Sequence, residues 1–288
     1  MKKILVPTDF SAQAEFALDL ALEISKKSDS EIILLHVLDI PGGAAFAPGT
    51  SSFDAMGAPG YANHMDNIYV VQLHDTSKQK LEDKLNEPRF ANTNIRYKLQ
   101  MGNPYHGIAE EISENNVDLV IMGTTGTSGV EEFLIGSNTE KVVRLAKCPV
   151  LTVKDKVSAE NINNIVFASD FKEDQKVVIN ELLKIQSLFN AALHLVKINT
   201  PGNFEPTRHI KKQIEDFAEA NKLKNYSVNI YCDSLEEEGI IYFAEDINAD
   251  LIALSTHGRT GIMHLLSGSI AEDVVNHSKR PVWTFRLK

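Results

Sequence analysis

Residues 121–140 of this 288-residue chain read IMGTTGTSGVEEFLIGSNTE. An apolar run typical of a buried strand stops at Gly123, and glycine returns at Gly126 and at Gly136, which Ser137 follows. Glycine lacks a Cβ, so the backbone at these positions can approach another group closely. The stretch therefore predicts a strand, a glycine loop and then a helix that begins near Ser137.

The same arrangement occurs again in residues 252–272, IALSTHGRTGIMHLLSGSIAE, where Ser255 replaces the first glycine. The repeat extends along the chain, because KILVPTDF at residues 3–10 matches NIVFASDF 161 residues later. Toward the end of each copy the offset is 132, as CPVLTV at residues 148–153 matches RPVWTF. The chain therefore consists of two copies of one unit.

The change of offset places 29 extra residues in the first copy. Residues 41–64, PGGAAFAPGTSSFDAMGAPGYANH, are rich in Gly, Ala, Pro and Ser and show no apolar period. We expect a mobile surface loop there, above all at residues 43–62. Two similar domains are then expected, at residues 1–154 and 162–288, with a polar joint at about 154–161.

Apolar runs and amphipathic segments alternate in each copy. The run EIILLHVL at residues 31–38 is too continuous for a half-exposed strand and suits a sheet covered on both faces. Helical stripes separate such runs, as at residues 11–25, and a polar helix is expected near 65–87. This order predicts an α/β fold of two tandem doubly wound, Rossmann-like domains, each with a five-stranded parallel sheet. The last strands, near 149–153 and 281–286, are expected to pair or pack together, because each would otherwise leave an open sheet edge.

Composition argues against several classes of partner. The formal net charge of −10 disfavours binding to nucleic acid or to an anionic membrane, because both need a basic surface. No apolar run approaches the length of a membrane-spanning helix, and the N-terminal MKKILVPTDF is typical of a strand rather than a signal peptide. Cys148 and Cys232 lie far apart, without metal-ligand spacing. We therefore expect reduced cysteines and a cytoplasmic protein.

A ligand site is expected at the carboxyl ends of the strands. In doubly wound sheets, small ligands bind where the strand order reverses. If the fourth strand lies beside the first, PTDFS at residues 7–11 and GTTG at 123–126 flank one crevice. The helix that starts at Gly136 and Ser137 adds free N–H groups and the positive end of its dipole. Together these features describe a nucleotide pocket, with adenine and ribose near the first two strand ends and the phosphates over the helix start.

Structural explanations compete with this interpretation. Ser137 and Glu140 form the S-x-x-E pattern of a capping box, as do Ser269 and Glu272. For Ser137 taken alone, capping is preferred over ligand contact. Asp9 taken alone is equally suited to a ligand contact and to a structural role, either capping the first helix or bonding its own turn. The sequence contains no P-loop pattern, no G-x-G-x-x-G after the first strand and no G-x-S-x-G or H-E-x-x-H motif.

These residues resemble the universal stress protein family, with two tandem copies covering almost the whole chain. Nucleotide-binding members of that family carry G-x2-G-x9-G-[ST], which residues 123–137 match in full. The stretches ILVPTDFS and CPVLTV extend the likeness to both ends of the first copy. By that resemblance the fold is adenine nucleotide alpha hydrolase-like, Asp9 and Val37 hold ribose and adenine, and the glycine loop holds the phosphates.

The resemblance implies a nucleotide-binding set in the first copy: Pro7, Thr8, Asp9, Val37, Met122, Gly123, Gly126, Gly136, Ser137, Asn138 and Thr139. It implies a second candidate set in the other copy: Ser169, Asp170, Ile198, Ser255, Gly258, Gly268 and Ser269. The implied ligand is ATP or another adenine nucleotide, with or without Mg²⁺. The implied role is stress-linked sensing or regulation without catalysis, through a protein partner that the sequence does not identify. Family members usually pair through their last strands, so the two halves would make that pair internally, and a homodimer of the whole chain stays open.

Two departures from the family pattern bear on this expectation. Ser255 stands where the first glycine of the second copy should be, and residues 124–136 contain no Lys or Arg but carry Glu131 and Glu132. The second copy has a base in its loop, Arg259. We expect tighter binding in the first half, because a steric block outweighs an exposed charge contact.

Three hypotheses about function follow. The leading one is a nucleotide-binding regulatory protein, favoured by the complete glycine pattern of the first copy. The rival is an interaction scaffold that has lost nucleotide binding. The third is a slow ATP hydrolase, for which the sequence offers no general base and no metal cluster.

Overall fold

A computed structural model describes residues 1–39, 61–124, 135–172, 175–257 and 270–287 of the chain, with the backbone alone at 61–68, 256–257 and 287. Residues 40–60, which hold most of the expected mobile loop, lie outside this description. No helix in the described ranges is long and apolar enough to cross a membrane.

The first half alternates strands and helices as its sequence pattern predicts. Its elements are β1 (Lys3–Pro7), α1 (Ala12–Ser28), β2 (Glu31–Leu38), α2 (Tyr61–Leu85), β3 (Ile95–Met101), α3 (Pro104–Asn115), β4 (Leu119–Gly123), α4 (Ser137–Leu145) and β5 (Val150–Val153). The helix expected at 65–87 starts four residues earlier, at Tyr61, so residues 61–64 are helical rather than part of a loop.

The second half repeats this order. Its elements are β6 (Asn164–Ala168), α5 (Lys176–Phe189), β7 (Ala192–Asn199), α6 (Thr207–Ala220), β8 (Tyr226–Cys232), α7 (Glu236–Asp246), β9 (Leu251–His257), α8 (Ile270–His277) and β10 (Val282–Leu287). All ten strands therefore occur where the two copies of the apolar pattern predict them.

One ten-stranded sheet contains both halves, in the order β3-β2-β1-β4-β5-β10-β9-β6-β7-β8. Within each half the five strands are parallel, and β4 lies beside β1 as β9 lies beside β6. The last strands β5 and β10 pair antiparallel, with Trp283 opposite Leu151. The expected pairing of the last strands is confirmed, and it makes the two five-stranded sheets continuous rather than separate.

The antiparallel junction sets the positions of the two candidate sites. The strands β5 and β10 run in opposite directions. The strands of the first half therefore have their carboxyl ends at one end of the sheet, and the strands of the second half have theirs at the other end. Helices α1, α2, α5 and α6 pack into one apolar cluster, and α3, α4, α7 and α8 pack into another. These clusters cover the two faces, since neighbouring strand residues such as Leu119 and Val120 alternate between them. Each half therefore has its own crevice, at the carboxyl ends of its own strands.

The polar joint between the halves is held against α1. The Glu23 carboxylate accepts hydrogen bonds from the Ser158 hydroxyl at 2.8 Å and from the Ala159 N–H at 2.7 Å. Lys27 also donates to the Ala159 carbonyl at 3.3 Å. These bonds and the shared sheet fix the second half against the first.

Candidate functional site

The loop after β1 forms a tight turn. The Thr8 hydroxyl accepts the Phe10 N–H and the Asp9 carboxylate accepts the Ser11 N–H, both at 3.0 Å. Phe10 has φ of 63°, a left-handed conformation that bulky residues rarely adopt and that costs on the order of 1 kcal/mol or more. Ser11, not Asp9, caps α1, because its hydroxyl oxygen accepts the Ala14 N–H. Asp9 therefore bonds its own turn.

The loop after β6 has the same geometry. The Ser169 hydroxyl accepts the Phe171 N–H and the Asp170 carboxylate accepts the Lys172 N–H, both at 3.1 Å. Phe171 has φ of 55°. Unlike Thr8, the Ser169 hydroxyl also accepts a bond from the Gln175 side chain at 2.9 Å. The repeat thus preserves the turn while adding a contact in the second half.

The start of α4 lies directly beyond the end of β4. The Gly136 N–H donates to the Thr124 carbonyl at 2.7 Å, and the Thr139 hydroxyl donates to the Gly123 carbonyl at 3.0 Å. Since β4 pairs with β1, the Asp9 turn and the start of α4 follow neighbouring strands at the same edge of the sheet. The reversal of strand order lies between these two strands, where a ligand crevice is expected.

The start of α4 retains unused hydrogen-bond donors. Gly136 is the N-cap, with extended backbone and no side-chain cap, and Ser137 is the first helical residue. The capping-box interpretation of Ser137 is therefore wrong, because a glycine before it already makes the turn into the helix. Within the described ranges, the N–H groups of Ser137, Asn138 and Thr139 have no acceptor. Three free donors at the positive end of a helix dipole suit an anion.

Gly123 is required by packing within the first half. A Cβ at Gly123 would lie 2.7 Å from the Gln13 Cβ and 2.8 Å from its backbone carbonyl carbon, in the first turn of α1. In the second half α5 begins at Lys176, three residues later than the repeat offset from Ala12 would place it. Helix α5 as described therefore lacks an equivalent of the first turn of α1, which is the turn that would collide with a side chain at position 123.

A second glycine pair lets α3 and α7 pack closely on the ends of β2 and β7, and the spacing analysis overlooked it. A Cβ at Gly107 would lie 2.9 Å from the Val37 Cγ2, and one at Gly239 would lie 2.6 Å from the Ile198 Cγ2. Gly107 and Gly239 are 132 residues apart, the offset of the glycine loops, and that coincidence is the signal that could have found them. Val37 stays partly exposed, whereas Ile198 is buried.

A neutral imidazole lies next to the Asp9 turn. His36 Nδ1 lies 2.6 Å from the Thr8 carbonyl oxygen, and its ring packs 4.6 Å from the Phe10 ring. Burial lowers the pKa of His36, so the ring is neutral at pH 7 and Nδ1 donates to the carbonyl. Lys80 of α2 places its ammonium 5.3 Å from the centre of the Phe10 ring, which brings one positive charge to this edge.

The second half has an internal ion pair at the equivalent position instead. Lys197, at the position equivalent to His36, is buried and bonds the Glu205 carboxylate at 2.7 Å. Lys172 bonds the same carboxylate at 3.0 Å. Hydrogen bonds from Lys197 and Lys172 lower the pKa of Glu205 to about 2. The Asn199 side-chain oxygen accepts the Glu205 backbone N–H at 2.9 Å, and the Asn199 side-chain NH₂ donates to the Glu205 backbone carbonyl at 3.0 Å.

A further cation, Lys154, lies at the end of β5. Its ammonium donates to the backbone carbonyl of Asn276 in α8, and burial lowers its pKa. The Asn276 side-chain oxygen in turn accepts the Ile135 N–H at 2.8 Å, next to Gly136. Lys154 belongs to neither glycine loop, so a search between the glycines could not identify it.

The sequence similarity of each half to known proteins decides the family. A model of the universal stress protein family matches residues 1–154 and again residues 161–286. The chain belongs to the universal stress protein family. A putative universal stress protein from Staphylococcus haemolyticus is 28% identical over 178 residues, 60% of this chain and 96% of that protein. A universal stress protein from Methanocaldococcus jannaschii is 32% identical over 157 residues, 54% of this chain and 97% of that protein.

The whole architecture is also found in a solved universal stress protein. A crystal structure from Archaeoglobus fulgidus aligns with a TM-score of 0.72 over 99% of this chain and 98% of that chain, at 19% identity. This likeness concerns the fold. The two curated relatives match little more than half of the present chain over nearly their full length, whereas this solved structure covers both halves.

Ten of the eleven residues proposed for the first site of this universal stress protein lie at one edge of the sheet. They are Pro7, Thr8, Asp9, Val37, Met122, Gly123, Gly136, Ser137, Asn138 and Thr139. Gly126 lies outside the described ranges. Ser169, Asp170, Ile198 and Ser255 lie at the opposite edge, and Gly258, Gly268 and Ser269 lie outside the described ranges. The described residues contain no group of three or more His, Cys, Asp or Glu side chains that could hold a metal ion.

Proposed function

We propose that this universal stress protein binds an adenine nucleotide in the first-half crevice and acts in sensing or regulation. The observation that carries the proposal is the start of α4, beyond β4 and beside the Asp9 turn of β1, where the N–H groups of Ser137, Asn138 and Thr139 have no acceptor among the described residues. A phosphate group would accept these hydrogen bonds at the positive end of the helix. Absence of catalysis and a cytoplasmic location belong to the same proposal.

Each part of the crevice suits a part of the nucleotide. Asp9 supplies a carboxylate that can accept hydrogen bonds from ribose hydroxyls, and partly exposed Val37 supplies an apolar contact for adenine. The N–H groups of Ser137 and Asn138 would hold phosphate oxygens. Because no metal-binding cluster exists among the described residues, a Mg²⁺ ion would be bound mainly through the phosphates.

The same reasoning assigns weak or no binding to the second half. There the Glu205 carboxylate already pairs with Lys197 and Lys172, so these cations are not available to a phosphate. Buried Ile198 presents less surface to a base than Val37 does. We therefore propose one nucleotide site in each chain.

One observation favours the scaffold alternative. Packing against Gln13 explains Gly123 without any ligand, so this glycine does not by itself indicate nucleotide binding. The N–H groups at the start of α4 make no comparable packing contact among the described residues, and they are the part of the site to test.

The substitution Ser137→Pro tests the donors directly. Proline removes the Ser137 N–H but is well tolerated at the first position of a helix, and the extended backbone of Gly136 suits the residue before a proline. We expect the melting temperature to be unchanged or raised, while calorimetry shows ATP binding weakened by about tenfold or more. Ser137→Ala, which keeps the N–H and loses the hydroxyl, should bind closer to wild type.

Two outcomes would contradict the proposal. If the wild-type chain binds none of ATP, ADP and AMP, the scaffold function replaces it. If Ser137→Pro binds as tightly as wild type, the phosphates do not lie at the start of α4.

A further inference from the structure

The start of α4 in the first half is bonded to a side chain of the second half. The Ile135 N–H donates to the Asn276 side-chain oxygen at 2.8 Å, and this contact is partly buried. Asn276 is the penultimate residue of α8, which packs on α4 and β10. A residue 141 positions away in sequence therefore holds the residue immediately before the N-cap of α4.

The Asn276 backbone is also bonded to the first half. Lys154, which follows the last strand of the first half, donates to the Asn276 backbone carbonyl. A cation at the C-terminal end of a helix also stabilises that end through the helix dipole. The hydrogen bonds of Asn276 to Lys154 and to Ile135 therefore both join the second half to the first.

Three hydrogen bonds fix the direction in which α4 begins. Two of them join α4 to the end of β4, where the Gly136 N–H donates to the Thr124 carbonyl and the Thr139 hydroxyl donates to the Gly123 carbonyl. The third comes from Asn276. A rigid start keeps the free N–H groups aimed at one point, and such preorganisation reduces the entropy that binding costs.

The reciprocal contact cannot form. The repeat offset of 132 places Arg144 of α4 at the position equivalent to Asn276 of α8. A guanidinium carries only donors, so Arg144 cannot accept a backbone N–H as Asn276 does. The contribution of one half to the other is therefore one-way at these positions.

We propose that Asn276 is a positioning residue for the nucleotide site of the first half, so that the second half completes that site without lining it. This inference rests on the proposed function of the first half. It gives the second half a role in nucleotide binding even though its own Lys197 and Lys172 are paired with Glu205.

Amide exchange followed by NMR tests the positioning contact without any nucleotide. Asn276→Ala should speed exchange of the Ile135 amide by about tenfold, because its acceptor is removed. Asn276→Asp keeps an acceptor oxygen in the same place and should restore slow exchange. Unchanged exchange of Ile135 in Asn276→Ala would overturn the proposal.

Calorimetry with ATP tests the functional consequence. We expect Asn276→Ala to bind ATP about fivefold to tenfold more weakly than wild type, and the matched variant Arg144→Ala to bind as wild type does. Equal affinity in Asn276→Ala and wild type would overturn this inference alone. Absence of binding by wild type would overturn the proposed function as well. A loss of affinity in Arg144→Ala equal to that in Asn276→Ala would show a nonspecific helix effect and would also contradict the inference.

Discussion

The two halves of the chain build the same turn and use it differently. After β1 and after β6, a hydroxyl and a carboxylate hold a phenylalanine at positive φ, in Phe10 and Phe171. Beneath the first turn lies a neutral His36, and beneath the second lies Lys197 paired with Glu205. The backbone turn is thus the same in both halves, although the titratable residues next to it differ. Repeat symmetry predicts the shape of both sites but the ligand of neither.

Gly123→Val should have the largest effect, and the effect should be on stability. Its side chain would collide with the backbone of Gln13 in α1, and overpacking of this kind costs about 3 kcal/mol. Ser255→Val, at the equivalent position, should cost less than about 1 kcal/mol. Urea denaturation measures the unfolding free energy of both variants. Equal losses in the two would show that packing against α1 does not make position 123 more sensitive than position 255. Because Gly123→Val disturbs α1, a loss of nucleotide binding in this variant would not identify a ligand contact.

Glu205 should make the stability of the second half sensitive to acid. Its pKa is lowered to about 2 in the folded chain, so the stability it contributes is present above its unfolded pKa near 4.5. After allowance for solvent screening that contribution is about 2 kcal/mol, and it should be lost as the pH falls from about 4.5 to 2. Glu205→Gln should unfold more readily at pH 7 and show a flatter dependence over this range. An identical pH profile in wild type and Glu205→Gln would refute the ion-pair account.

Lys80→Ala should have the smallest effect, because its ammonium is exposed. We expect ATP affinity to fall by no more than about fivefold, AMP affinity to fall less, and both losses to shrink at high salt. Calorimetry at two salt concentrations measures this. A salt-independent loss would indicate a direct contact rather than a long-range attraction.

The ten strands and the pairing of β5 with β10 could be predicted, because repeated apolar runs specify the strands and the last strand of each half would otherwise form an exposed edge. Other features depend on contacts that the repeat does not encode. The glycine pattern does not say which atoms approach Gly123, and these are the atoms of Gln13. Asn276 reaches Ile135 only because the two halves share a sheet. Glu205 lies between β7 and α6, where the two copies differ in length, so its ion pair could not be predicted from the repeat.

The matched pair Asp9→Ala and Asp170→Ala tests the central claim most directly. Each substitution removes a carboxylate that accepts a turn N–H, at 3.0 and 3.1 Å, so each disturbs the same local geometry in its own half. Titration calorimetry with ATP should give one site per chain in wild type, an affinity at least about tenfold lower in Asp9→Ala and an unchanged affinity in Asp170→Ala. Two equal sites in wild type, or a loss in Asp170→Ala as large as in Asp9→Ala, would contradict the claim that only the first half binds the nucleotide.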